Sequence, residues 1–264
     1  MASRISPTRW SLSVCRQSRA SKRFLRKAEP TRRRRLYLLA LVALLGAEPD
    51  PLLPGFTREQ QERALAITVR LQNHSRHSRG SGILLGKDGP TVYVLTASHV
   101  VADAREVDIE TFSVASYPRP AKVYRSAEVI GPSGDGKLDL ALIRFSASES
   151  LGDKVKIGET KAYSPSFAAI SVGCSAGRPP SCSVETIVGT RRARREGQKT
   201  PALYWETKDR TARGRSGGPL LDARGRLIGV CCGSNGEAGY YCHIDEVVRF
   251  LRQQGLRWLT AEDH

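Results

Sequence analysis

Residues 213–233 read "RGRSGGPLLDARGRLIGVCCG". A serine followed at once by two glycines and a proline admits two explanations. The run is either a tight turn closing a β-hairpin or a place where a hydroxyl is held against backbone N–H groups. Glycine suits both, because it adopts backbone angles closed to other residues and leaves room for close approach. In acyl transfer a serine hydroxyl attacks a carbonyl carbon, and backbone N–H groups hold the oxyanion that forms. Here Ser216 would supply the hydroxyl, and Gly214 and Ser216 the N–H groups.

Two other segments bear on the choice. In "VLTASHVVADA", residues 94–104, His99 follows an apolar strand and precedes a short helical turn. Alone, such a histidine reads more readily as a hydrogen-bonded core residue than as a catalyst. In "GDGKLDLALIRF", residues 134–145, Asp139 is embedded among Leu138, Leu140, Ala141, Leu142 and Ile143. A carboxylate in apolar surroundings is costly unless a donor meets it. An imidazole N–H is such a donor, and the carboxylate would then leave the other ring nitrogen free as a base. The plainer reading is an aspartate capping a turn. Asp135, in the glycine-rich turn just before, is the weaker candidate.

The three segments occur in the order His99, Asp139, Ser216, with gaps of 40 and 77 residues, which is the chain order of the chymotrypsin-like arrangement. With "GSGILLG", "YVLTASHVV", "DLALIRF" and "GRSGGPLLDARGRLIGV", the chain resembles the trypsin/chymotrypsin superfamily of serine proteases. It looks most like the compact bacterial branch that includes Deg/HtrA protease domains, with no PDZ-like domain expected after residue 254. The resemblance implies an all-β fold of two six-stranded antiparallel β-barrels, with the site in the cleft between them. It implies His99 as general base, Asp139 as the carboxylate that orients it, Ser216 as nucleophile, and the Gly214 and Ser216 N–H groups as oxyanion hole. Two positions depart from relatives. Arg215 stands where digestive members carry an acid and Deg/HtrA members usually asparagine, and Arg210 stands where an acidic specificity pocket would carry aspartate.

The strand texture agrees with that architecture. From residue 63, short β-branched runs bounded by Gly, Pro, Ser or Asp extend from "ALAITVRLQ", residues 64–72, to "GYYCHI", ending at residue 244. The expected limits are barrel 1 at about 63–155 and barrel 2 at about 156–243. "IDEVVRFLRQQ" then changes period, with Ile244, Val247, Val248 and Leu251 on one face of a closing C-terminal helix at 244–254. Residues 255–264 form a tail.

The formal charge of +16 suggests nucleic acid until its location is considered. Residues 1–35 hold +11 of it, leaving +5 for the other 229 residues. The folded domain is therefore not expected to bind nucleic acid; binding by the tail would vanish on deleting residues 1–35 and weaken with salt. The tail leads into "LYLLALVALLGA", residues 36–47. As a helix this run spans about 18 Å, short of the roughly 20 apolar residues that cross a bilayer. A basic flank, a short apolar core and small residues before a polar stretch describe an export signal at residues 1–47. If uncleaved, the segment would anchor the chain to a membrane. Residues 48–62 read as a linker entering a short helix.

No metal and no cofactor is implied. His74 and His77 sit in the polar loop "NHSRHSRG" without adjacent ligands, and the cysteine spacings match no zinc pattern. An exported chain forms disulfides, and the first candidates are Cys174 with Cys182 and Cys232 with Cys242. The expected function is an exported serine endopeptidase acting on protein or peptide substrates. The alternative is a catalytically silent binding module on a protease fold, against which the intact set of three residues argues.

Overall fold

The alternation that marks the strands becomes two barrel interiors. The computed structural model describes residues 9–10, 52–132, 138–152, 155–159, 163, 166–195 and 200–260. The apolar run 36–47, the linker start and Asp135 lie outside these residues. A two-residue strand, β1 (Arg9–Trp10), pairs in parallel with the distal end of β9 (Ser181–Arg195).

Barrel 1 is closed by β2 (Thr68–Asn73), β3 (Ser78–Asp88), β4 (Thr91–Thr96), β5 (Glu106–Thr111), β6 (Lys122–Pro132) and β7 (Ala141–Ser146). Neighbouring side chains of a strand point to opposite faces, so Val69, Leu71, Val94, Val107, Ile109 and Ile143 fill its interior. Barrel 2 is made of β8 (Phe167–Gly173), β9, β10 (Ala202–Thr207), β11 (Pro219–Leu221), β12 (Leu227–Ser234) and β13 (Gly239–His243), and the pairing of β8 with both β9 and β11 closes it. Ala169, Ile187, Trp205, Leu220, Ile228 and Tyr241 form its inner cluster. A third cluster, with Ile83, Leu95, Leu142, Ile170, Val172 and Val230, joins the barrels to each other and to the helices.

The chain enters through α1 (Arg58–Ala66), which starts at a reciprocal cap: Gln60 N–H donates to Thr57 Oγ1, and Thr57 N–H to Gln60 Oε1. This correction to the reading of residues 63–66 as strand has a local cause, because a capped helix propagates through Ala64–Ala66 before β2 begins. The Gln60 amide also donates to the Ala223 carbonyl of barrel 2. At the other end α2 (Ile244–Gln253) buries Ile244, Val247 and Leu251 of the face read from sequence, together with Phe250, while Val248 is partly buried. Glu246 is buried with them, accepting from Leu203 N–H and Arg249. Beyond α2, Trp258 lies edge-on to Tyr93 of β4, so the C-terminal segment reaches back to barrel 1.

The expected disulfides do not form; Cys174, Cys182, Cys231, Cys232 and Cys242 are all free thiols. Strand register explains the second pair. Cys242 faces Val230 and Tyr241 faces Cys231, and a bulge between Cys231 and Gly233 leaves Cys232 outside the ladder. In the first pair the sulfurs turn to different carbonyls, Cys174 to Val69 and Cys182 to Gln61. Burial pushes the Cys174 thiol up to about 11 and the Cys231 thiol to about 12, which keeps both protonated.

Candidate active site

His99 sits on a 3-10 turn, Ser98–Val100, that leaves the end of β4. Asp139 enters β7 from the loop that precedes it and is 5% exposed. Its buried carboxylate is met by donors from Ser98 and His99. His99 Nδ1 lies 2.8 Å from Oδ2 and 3.0 Å from Oδ1, the His99 backbone N–H donates to Oδ1 at 3.1 Å, and the Ser98 hydroxyl donates to Oδ1 at 2.8 Å. The carboxylate thus caps the turn and is also hydrogen-bonded to the ring. The imidazole stays 38% exposed. A carboxylate on Nδ1 fixes the tautomer with the proton there and leaves Nε2 as the basic nitrogen.

Ser216 follows a loop pressed against barrel 1. Gly217 has φ +83°, and a Cβ there would lie 2.1 Å from the Ser81 carbonyl oxygen and 2.2 Å from Thr96 Oγ1. No side chain fits. This close approach sets the residue after Ser216 beside Thr96 and Ala97, a short step from His99. The Ser81 N–H donates to the Ser216 carbonyl at 2.9 Å. Gly214, at φ +91°, packs as tightly on Cys174 and Ala176.

Ser81 organises that loop, a role the sequence reading missed. Its hydroxyl donates to the Gly214 carbonyl at 2.8 Å and accepts from Cys174 N–H at 2.8 Å. Ala176 N–H donates to Arg213 O, Arg215 N–H to Ala212 O and Gly217 N–H to Cys231 O. Among the described residues, the N–H groups of Gly214 and Ser216 meet no acceptor. Uncommitted donors at alternate positions of a rigid loop are what an oxyanion requires.

Arg215, between them, is 4% exposed. Its guanidinium points into barrel 2 and donates to the Ser171 carbonyl at 2.6 Å, Ser171 Oγ at 3.1 Å, Ser183 Oγ at 3.0 Å and Ser175 Oγ at 3.3 Å. Ser183 in turn donates to Glu185 Oε1 at 2.8 Å, and Tyr241 donates to Ser171 Oγ at 2.7 Å. Burial raises the Glu185 carboxyl, while the Ser183 bond and the Arg215 charge lower it. The signal for this network is polar residues at interior-facing positions: Ser171 shares a face of β8 with Ala169, and Ser183 and Glu185 share a face of β9 with Ile187. Arg210 is exposed and takes no part. Among the described residues no group of three or more His, Cys, Asp or Glu could hold a metal ion.

Comparison with known proteins agrees with this architecture. The family profile described as a trypsin-like peptidase domain matches residues 80–230. A probable periplasmic serine endoprotease, DegP-like, of Pseudomonas fulva (strain 12-X) is 28% identical over 189 residues, covering 67% of this chain and 35% of the relative. The DegP-like protein of Chlamydia pneumoniae is 31% identical over 161 residues, covering 58% of this chain and 28% of the relative. The chain therefore spans about a third of the length of these curated relatives. Among solved structures, the inactive form of the Rv3671c protease superposes with a TM-score of 0.61 at 20% identity, covering 79% of this chain and 98% of that one. The serine endoprotease from Yersinia pestis gives 0.59 at 19%, covering 78% and 68%. With the profile matching more than half of its residues, across both barrels and the Ser216 loop, the chain belongs to the trypsin-like peptidase family.

Proposed function

We propose that this protein is an exported serine endopeptidase, with Ser216 as nucleophile, His99 as general base and Asp139 as its orienting carboxylate. The observation that carries the reading is the His99 Nδ1–Asp139 pair at 2.8 Å, which leaves the opposite ring nitrogen as base. Ser216 Oγ attacks the peptide carbonyl carbon as its proton passes to His99 Nε2. The carbonyl π electrons become the oxyanion, which the Gly214 and Ser216 N–H groups receive. Collapse breaks the C–N bond, His99 returns the proton to the leaving amine, and an acyl ester on Ser216 remains. Water, deprotonated by His99, attacks the ester in the same way and frees the carboxylic acid and Ser216.

Export is supported by the basic flank and short apolar run of residues 1–47 and by the periplasmic assignment in the relatives' names. Among the described residues no helix is long and apolar enough to cross a membrane. A fluorophosphonate probe tests the chemistry without knowledge of the substrate. Ser216 is expected to be the labelled residue, and Ser216→Ala to abolish labelling and casein hydrolysis. A protein that stays unlabelled and cuts nothing would be the silent binding module instead.

A further inference from the structure

Beside the candidate oxyanion loop lies a second recognition element. A surface cavity of about 450 Å³ is lined by Gln72, His77, Arg79, Ala176, Gly177, Arg213 and Gly214. One wall is the β2–β3 hairpin of barrel 1; the other is the loop that carries Gly214 and, two residues on, Ser216. We propose that this cavity is a carboxylate-binding subsite that selects substrates with Asp or Glu in the first two positions after the scissile bond. The proposal rests on the endopeptidase reading and adds a substrate class to it.

The charge of the cavity is uncompensated. Among the described residues neither Arg79, Arg213 nor His77 has a carboxylate within ion-pair distance. Arg79 is oriented by its Nε–H, which donates to Gln72 Oε1 at 2.6 Å and leaves the outer guanidinium nitrogens for a ligand. Glu110 of β5, across from Arg70 of β2, is consumed by the Arg70 guanidinium, whose Nη1 also donates to the Gly177 carbonyl. Arg79 and Arg213 thus face the cavity as two forks suited to a carboxylate.

Two observations give the cavity its side of the scissile bond. The leaving amine must take its proton from His99, so the chain beyond the cut runs towards barrel 1. The hairpin wall is fastened to the His99 turn, because the Asn73 side-chain amide donates to the carbonyls of Val100 and Ala102 at 3.0 and 2.9 Å. The opposite wall is equally fixed, since Ala176 N–H donates to Arg213 O and Gly177 N–H to Cys174 O. A substrate held at Gly214 N–H therefore presents its next residues to Arg213 and Arg79 without rearrangement of the backbone.

The test is cleavage-site profiling of the active protein on a proteome-derived peptide mixture, followed by kinetics on matched peptides bearing Glu, Ala or Lys after the cut. Asp and Glu should be enriched in the two positions following the cut, and kcat/KM for Glu should exceed that for Ala by about fivefold. High salt should shrink that ratio, because the Debye length falls to about 3 Å at 1 M. In the Arg79→Gln/Arg213→Gln double variant the ratio should fall to near one, and Arg213→Glu should shift the preference towards Lys. Equal rates across the three peptides, or a preference that survives the double variant, would overturn the subsite while leaving the endopeptidase reading intact. Failure of Ser216 to react with a fluorophosphonate, with no peptide cut, would overturn both. The same Glu and Lys peptides, titrated by fluorescence anisotropy against Ser216→Ala, should rank Glu above Lys; the reverse order contradicts the subsite.

Discussion

Replacing Arg215 by methionine removes a buried cation from the position between the two candidate oxyanion donors. Four acceptors lose a donor: the Ser171 carbonyl and the hydroxyls of Ser171, Ser175 and Ser183. The Ser171 carbonyl is fully buried and held at 2.6 Å, and Glu185 stands one hydroxyl behind, with no second cation in the network among the described residues. A hydrogen bond to a charged group contributes about 1.5–3 kcal/mol, and removing one partner of a buried charge network costs about 3–5 kcal/mol. The Arg215→Met variant should therefore lose about 4 kcal/mol, a drop of about 2 M in the urea midpoint for a slope near 2 kcal/mol per molar. Arg215→Lys retains the charge but not the fork, and should lose about half as much. Urea unfolding followed by tryptophan fluorescence measures both, and fluorophosphonate labelling of the folded variants reports whether the Gly214–Ser216 loop survives. Double-mutant cycles with Glu185→Gln isolate the coupling through Ser183. A methionine variant with an unchanged midpoint and labelling rate would refute the view that Arg215 holds this loop from inside barrel 2.

The remaining expectations concern the same site and its supports. Asp139→Asn should fold yet lose on the order of 10⁴ in turnover, because asparagine stabilises the wrong imidazole tautomer; near-normal turnover would remove Asp139 from the proposed triad. Ser81→Ala strands Cys174 N–H and the Gly214 carbonyl and should cost about 1–3 kcal/mol with slower labelling of Ser216, whereas unchanged labelling would deny Ser81 its positioning role. Burial lifts the Glu185 carboxyl above its ordinary 4.5, so the folded chain keeps that proton to higher pH than the unfolded chain. Its contribution is then fully present below 4.5 and lost as pH rises through the folded value; urea midpoints between pH 4 and 7 should decline less steeply for Glu185→Gln, and identical slopes would contradict the shift. Mass spectrometry of the unreduced protein should find Cys174, Cys182, Cys231, Cys232 and Cys242 as thiols, and a Cys174–Cys182 or Cys232–Cys242 peptide would contradict the register described.

Much of this molecule is written locally. Alternation in segments such as "TVYVLT" and "REVDIE" marks strands with one buried face, and the 3.6-residue period of Ile244, Val247 and Leu251 marks the closing helix, because burial of one face is a property of a few neighbouring residues. The candidate residues His99, Asp139 and Ser216 were legible too, since a serine before two glycines and a carboxylate in an apolar run are chemically costly unless something answers them. The resemblance also paired Asp139 with His99, 40 residues away. The supports around them were not legible: Ser81 reaches Gly214 across 133 residues and Arg215 finds Ser171 across 44, through barrel closure and strand register. The cysteines show the limit most directly: a hairpin joining β12 to β13 was readable, but not its register, in which Cys242 faces Val230 and a bulge sets Cys232 outside the ladder. Periodicity states which face of a segment is buried. Only the closed sheet, where a shift of one residue turns every side chain to the opposite face, decides which residue it meets there.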